Sequence, residues 1–423
     1  MSKFRKILLI ILFILVILIV SFLLYRIFFK GPDKPVVTEP GDLIGGGLPA
    51  IDEGEITVRA DQKEDEDSLD ADNIFVDQKE IDNIAQGGFT NSKEVVSRNI
   101  KSPDFSNVNN GLVYYDRENQ TFFKVNEDGS TFKMSDNKFH SVVDVVWSPT
   151  KNQALIEYPE DDNVPYNKVL YDFDKDRAIT SFQKEMKDFN FSSNGEKLSA
   201  KWIGDYEDHN YIVSSDIYGN SFKFIEPIAD KARDVQTVWS PDGEVLATYR
   251  EAIDGGRQEI FFINENGKNL SSLVVDGRGF EGAWSPKGDK LLYSVFKPEM
   301  DYNPTLWIAG GQGDDLGSGK RYVGLNTWVD KCDFSQSDGD IVYCAVPDYL
   351  PKGSGWYPEL ADDVPYHIYK VNVNTGRKEK VADPIINGSR VTIDEIYLGE
   401  DDQILYYTNA SDGHLYSIDL ISQ

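Results

Sequence analysis

Residues Thr237 to Tyr249 read TVWSPDGEVLATY, and Gly282 to Ser294, forty-five positions later, read GAWSPKGDKLLYS. Ser240-Pro241-Asp242-Gly243 has the residues of a type I turn. Serine suits its first position, proline with its fixed φ the second, and glycine the fourth. Apolar residues precede the turn and the alternating VLATY follows it, so the stretch predicts a hairpin. The tryptophan ending the first strand is a large apolar plug for a layered core.

The same register recurs seven times. The anchors are Phe105, Trp147, Phe191, Trp239, Trp284, Phe334 and Tyr397, spaced 42 to 63 residues apart. Seven residues after each stands an apolar residue: Leu112, Ala154, Leu198, Leu246, Leu291, Ile341 and Ile404. A second hairpin follows most of them, with turns such as NENG (264–267) and NVNTG (372–376). Four strands in about 45 residues is the signature of a propeller blade, a small sheet that must stack on its neighbours to cover its faces. The expected fold is all-β, a seven-bladed propeller. Six blades is the alternative if the anchor at Phe105 or Tyr397 is not one.

Closure gives a separate check. After the last anchor the chain has room for only three strands, near 391–398, 403–409 and 414–420. The eleven residues before Trp284 (LVVDGRGFEGA) and before Phe105 (EVVSRNIKSPD) match in their opening VV pair. In the first case this is the outer strand of the preceding blade. Glu94 to Arg98 is therefore expected to supply the outer strand of the last blade and seal the ring.

Trp-Ser-Pro-x-Gly hairpins of this kind resemble the TolB-like β-propeller repeats, also found beside prolyl-oligopeptidase and dipeptidyl-peptidase domains. The resemblance covers about 94 to 423 and is strongest at Trp147, Trp239 and Trp284. It implies an extracytoplasmic propeller that interacts with proteins.

The amino terminus departs from that family's soluble periplasmic members. Ile7 to Tyr25 is 19 residues long and nearly free of polar groups. As a helix it reaches about 28 Å, close to the ~30 Å hydrocarbon core of a bilayer. No small-x-small site follows, so an uncleaved anchor is expected. Basic residues Lys3, Arg5 and Lys6 before it and acidic sequence after it favour a cytoplasmic amino terminus and an extracytoplasmic bulk. The domains expected are thus 1–30, cytoplasmic tip and transmembrane helix; 31–92, a disordered acidic linker; and 93–423, the propeller. Residues 31–90 carry 16 Asp and Glu against four Lys and Arg, too much like charge and too little apolar surface to fold alone.

The formal net charge of −28 excludes nucleic acid as a partner. No G-x-S-x-G elbow is present, and no hydrolase domain is expected beside the propeller. GDDLGSGKR (313–321) lacks the first glycine of a phosphate loop and has Arg321 where Ser or Thr is needed. DFDKDR (172–177) lacks the glycine and the twelfth-position acid of a calcium loop. No catalytic, cofactor-binding or metal-binding residue is expected. Cys332 and Cys344 flank one hairpin turn and fall opposite each other, the geometry of a cross-strand disulfide.

The sixth repeat is the longest, its excess lying between Val346 and His367. Long loops on a rigid scaffold carry binding residues. Trp356, Tyr357 and Tyr366 beside Glu359, Asp362 and Asp363 are the binding candidates. The expected protein is a monomeric, membrane-anchored propeller binding an envelope protein or a glycan without catalysis. The alternative is a glycan-acting hydrolase or lyase with paired carboxylates over the channel. A third, a sensor signalling to its short cytoplasmic end, has few residues to work with.

Overall fold

The computed structural model describes residues 81–106, 111–126, 129–159, 167–399 and 401–420. The membrane segment expected at Ile7–Tyr25 and most of the acidic linker lie outside the described residues. Among the described residues no helix is long and apolar enough to cross a membrane.

Seven sheets, one per repeat, form a seven-bladed β-propeller; six are four-stranded and the sixth blade has six strands. The inner strands, blade one to blade seven, are Ile100–Ser106, Asp144–Trp147, Met186–Phe191, Val235–Thr237, Arg278–Trp284, Cys332–Phe334 and Ile393–Leu398. Every anchor ends an inner strand or lies within two residues of one. The serine after the anchor has a structural reason. The Ser240 hydroxyl accepts the Val245 N–H at 2.9 Å, and Ser192 and Ser285 accept those of Lys197 and Lys290 at 2.9 and 3.1 Å. These serines are buried, so the bonds hold each turn shut where water does not compete. Gly243 and Gly288 close their turns with φ of +76° and +78°, a conformation that costs glycine nothing.

The core lies between blades. Val113, Tyr115 and Phe122 of blade one meet Trp147, Ala154, Ile156 and Tyr171 of blade two in a single cluster. Phe122 is fully buried, its ring 5.5 Å from that of Trp147 and 5.1 Å from that of Phe173, both edge-on. The indole N–H of Trp147 donates to the Ser102 carbonyl at 2.8 Å, tying the second anchor to the first inner strand.

The ring closes through the chain's two ends. Lys93–Val96 pairs antiparallel with Leu415–Asp419, Glu94 facing Tyr416, as the outer strand of blade seven. A further strand at this end has no counterpart in the sequence pattern. Phe89–Asn91 runs parallel to Lys378–Ile386 as the outermost strand of blade six, Phe89 facing Asp383. The segment expected to be linker up to 92 therefore includes residues held on the propeller. A three-residue strand joining a neighbouring blade in parallel has no hairpin partner to announce it. Ile84 also bridges to Asp419.

Cys332 stands directly opposite Cys344, and the two are disulfide-bonded with Cα atoms 4.1 Å apart.

Candidate functional site

A cavity of about 820 Å³ opens along the central channel, walled by inner strands of blades one, two, three, six and seven. Counting back three residues from each anchor gives Ser102, Asp144, Asp188, Gln236, Glu281, Lys331 and Asp394. Four of the seven are acidic. Asp104, Asp330, Asp333 and Glu395 add carboxyls from neighbouring channel positions.

Several of these resist ionisation. Burial pushes the Asp333 carboxyl up to about 7, helped by the nearby Asp104, although its Oδ2 accepts the Leu398 N–H at 2.8 Å. Burial also raises Asp144, Glu281, Asp330 and Glu395, with the charge of Asp330 adding to the effect at Glu281 and Glu395. Asp330 is exposed to solvent, yet its carboxyl is raised. The surrounding channel wall disfavours its charge, and the nearby Asp394 adds to the effect. Cations balance part of this charge: Lys151 lies 2.5 Å from Asp104, Lys331 lies 3.5 Å from Asp394, and Lys201 pairs with Asp188. Among the described residues no group of three or more His, Cys, Asp or Glu is arranged to hold a metal ion. A carboxyl that titrates at about 7, as that of Asp333 does, can donate a proton or a hydrogen bond.

The long loop of blade six leaves its sheet after Pro347 and returns at Tyr366. It is pinned. The Gly353 and Gly355 N–H groups donate to the Asp301 and Tyr302 carbonyls, both at 2.8 Å. Trp328, Ala361, Val364 and Leu350 form a small core beneath it. Gly355 passes so close that a Cβ would stand 2.5 Å from that of Phe296. On this base Trp356 and Tyr357 are 54% and 61% exposed, with Leu360 exposed beside them. The Trp356 ring rests 4.7 Å from Phe296.

Of the residues expected to bind, Trp356, Tyr357, Glu359, Asp362 and Asp363 reach the surface. Tyr366 does not; at 3% exposed it belongs to the core between blades six and seven. It begins a strand, and its ring faces inward against Val391 and Ile393 across that boundary. Asp362 and Tyr366 also line a small 140 Å³ pocket with Asp330, Lys331 and Asp394. The loop thus overhangs the acidic residues of the channel. Sequence reasoning missed those acids, although aligning the anchors exposes them three positions back.

This architecture defines the chain as a β-propeller. It is similar to a structure titled oligogalacturonate lyase in complex with manganese, at 13% identity over 77% of this chain and 90% of that one, TM-score 0.51. It is also similar to the Cps50 (Swd1) β-propeller domain of Myceliophteria thermophila, at 13% identity over 78% and 98%, TM-score 0.52. At such identity the likeness shows the fold alone. No family model and no curated protein matches the chain.

Proposed function

We propose that the protein is a TolB-like propeller held in a lipid bilayer by Ile7–Tyr25, amino terminus cytoplasmic, and displayed outside the cytoplasm beyond an acidic spacer. There it acts as a non-catalytic binding module for an envelope protein. The observation that carries this reading is the crest of Trp356, Tyr357 and Leu360 on a pinned loop. Exposed aromatics on a rigid base have little ordering entropy to lose on binding, and such residues dominate interface energetics. The acidic rim of Glu359, Asp362 and Asp363 suits a partner with basic residues around an apolar pocket.

The test uses the full chain in detergent micelles as bait in envelope extract. Tyr357→Ala with Leu360→Ala is expected to weaken capture of the main partner at least tenfold, about 1.4 kcal/mol or more. Both side chains are exposed, so the melting temperature should move by only about 1–2 °C. Undiminished capture would remove the crest from the reading.

A second reading has its own observation, the raised carboxyls of Asp330 and Glu395 beneath the loop. As a glycan-acting hydrolase or lyase, the protein would depolymerise a polysaccharide and lose that activity on Asp330→Asn. The binding reading expects no turnover from either form.

A further inference from the structure

A second cavity, of about 430 Å³, lies between blades five and six on the flank of the long loop. It falls in the range of small-ligand sites, about 300–1,000 Å³. We propose that it is a binding site for a neutral saccharide, separate from the crest on which the proposed function rests.

Three tyrosines line it, Tyr322, Tyr349 and Tyr369. Tyr322, on the outer strand of blade five, is 40% exposed, and Tyr349, at the start of the long loop, is 64% exposed. Tyr322 is held in place twice. Its ring lies 5.6 Å from that of Trp307, and its hydroxyl donates to Asn326 Oδ1 at 2.6 Å. A fixed ring with a free face offers an apolar platform with a polar edge. The C–H face of a pyranose stacks on such a surface, and its hydroxyls then point sideways.

The carboxylates at the site are matched. Asp348 is gripped by Arg390, whose Nη2 lies 2.8 Å from Oδ1 while Nη1 holds Oδ2. His367 Nε2 lies 2.8 Å from the same Oδ1, and its Nδ1 bonds Asp383, which Lys380 neutralises at 2.8 Å. Lys378 donates to the Gly324 carbonyl at 2.6 Å. A carboxylate already holding a forked guanidinium has little left for a cationic ligand. Asn303 donates to the Leu350 carbonyl at 3.2 Å, and its Oδ1 has no hydrogen-bond partner among the described residues. Planar amides beside exposed rings suit a ligand rich in hydroxyls and poor in charge. The aromatic cleft between blades two and three, walled by Phe182, Trp202 and Phe224, is lined mostly by apolar side chains, with Gln183 as its one amide. The central channel has the opposite bias, toward charge.

The test is calorimetric titration of the full chain in detergent micelles with chitohexaose, cellohexaose and an oligogalacturonate. A neutral hexasaccharide is expected to bind with a Kd of about 1 mM or tighter. Tyr322→Ala and Tyr349→Ala should each weaken it about tenfold or more, whereas Tyr349→Phe, which keeps the ring, should retain it. The Tyr357→Ala/Leu360→Ala variant should bind normally, so loss of the crest's partner and loss of sugar are separable. Three results would overturn the proposal: no neutral oligosaccharide binding at several millimolar, binding undiminished when both tyrosines are alanine, or binding of oligogalacturonate alone.

Discussion

A chain beginning at Ile100 is expected to lose the closed ring and to aggregate or melt at least 10 °C below the intact protein. The deletion removes both amino-terminal strands, Phe89–Asn91 from blade six and Lys93–Val96 from blade seven. Val96, buried between blades seven and one, goes with them. Burial of one such side chain contributes roughly 1.5–3 kcal/mol, and each lost strand hydrogen bond roughly 0.5–1.5 kcal/mol. Lys93, 2.5 Å from Asp419, and Glu94, 3.0 Å from His414, are lost as well, though exposed ion pairs add little. The sum approaches the whole stability of an ordinary protein, about 5–15 kcal/mol. It also bares the edge of Leu415–Asp419, a template for intermolecular pairing. Circular dichroism melts and size-exclusion profiles of the two forms decide the matter. A truncated chain that stays monomeric and melts within about 3 °C of the parent would show that closure contributes little.

Asp333→Asn is expected to stabilise the protein at pH 8 by about 2–4 kcal/mol and to leave it unchanged at pH 4. The Asp333 carboxyl titrates at about 7 in the folded protein because burial disfavours its charge, against about 3.9 in an unfolded chain. Between those values the native state keeps a proton that the unfolded state releases. Stability therefore falls as pH rises from about 4 to 7, and the penalty is fully present above that. Each tenfold difference in proton affinity between the two states corresponds to about 1.4 kcal/mol, discounted here for water in the channel. Asparagine cannot ionise but still accepts the Leu398 N–H. Other carboxyls slope the opposite way. Burial alone would raise Asp116, but hydrogen bonds from Asn119 and Arg98 outweigh it and hold its pKa low. Its contribution is lost only in acid. Urea titrations at pH 4, 6 and 8 separate the two. An equal gain at pH 4 and pH 8 would trace the effect to packing rather than ionisation.

The propeller was readable because its signal is local and repeated. Turn, plug and the apolar residue seven places on lie within one hairpin, and closure follows from counting strands. Yet the best-spelled copy has one of the two shortest inner strands. Blade four pairs regularly only over Val235–Thr237, ending two residues before Trp239. Thr237 and Trp239 also bond to blade three, the Thr237 hydroxyl to the Asp188 carbonyl and the Trp239 N–H to Asn190 Oδ1 at 3.3 Å. Contacts between blades add to the local pattern there. The site was less legible. Loop length located Trp356 and Tyr357, but Tyr366 at the loop's end belongs to the strand that follows it. With 71 acidic residues in the chain, channel carboxyls do not stand out until the anchors are aligned. The saccharide cleft gathers residues from Asn303 to Arg390 that no single stretch of sequence brings together.

The strand that seals the ring is among the earliest of the propeller to be made, and its partner is nearly the last. Glu94 and His414, in contact across the seal, are 320 residues apart. At roughly 5–20 residues per second of synthesis, the first must wait about 16–60 s for the second. Throughout that interval the amino-terminal strand lacks the strand it pairs with, while six blades can assemble beside it. Ring closure thus waits until nearly the whole propeller has been made, and the growing chain needs protection for that interval.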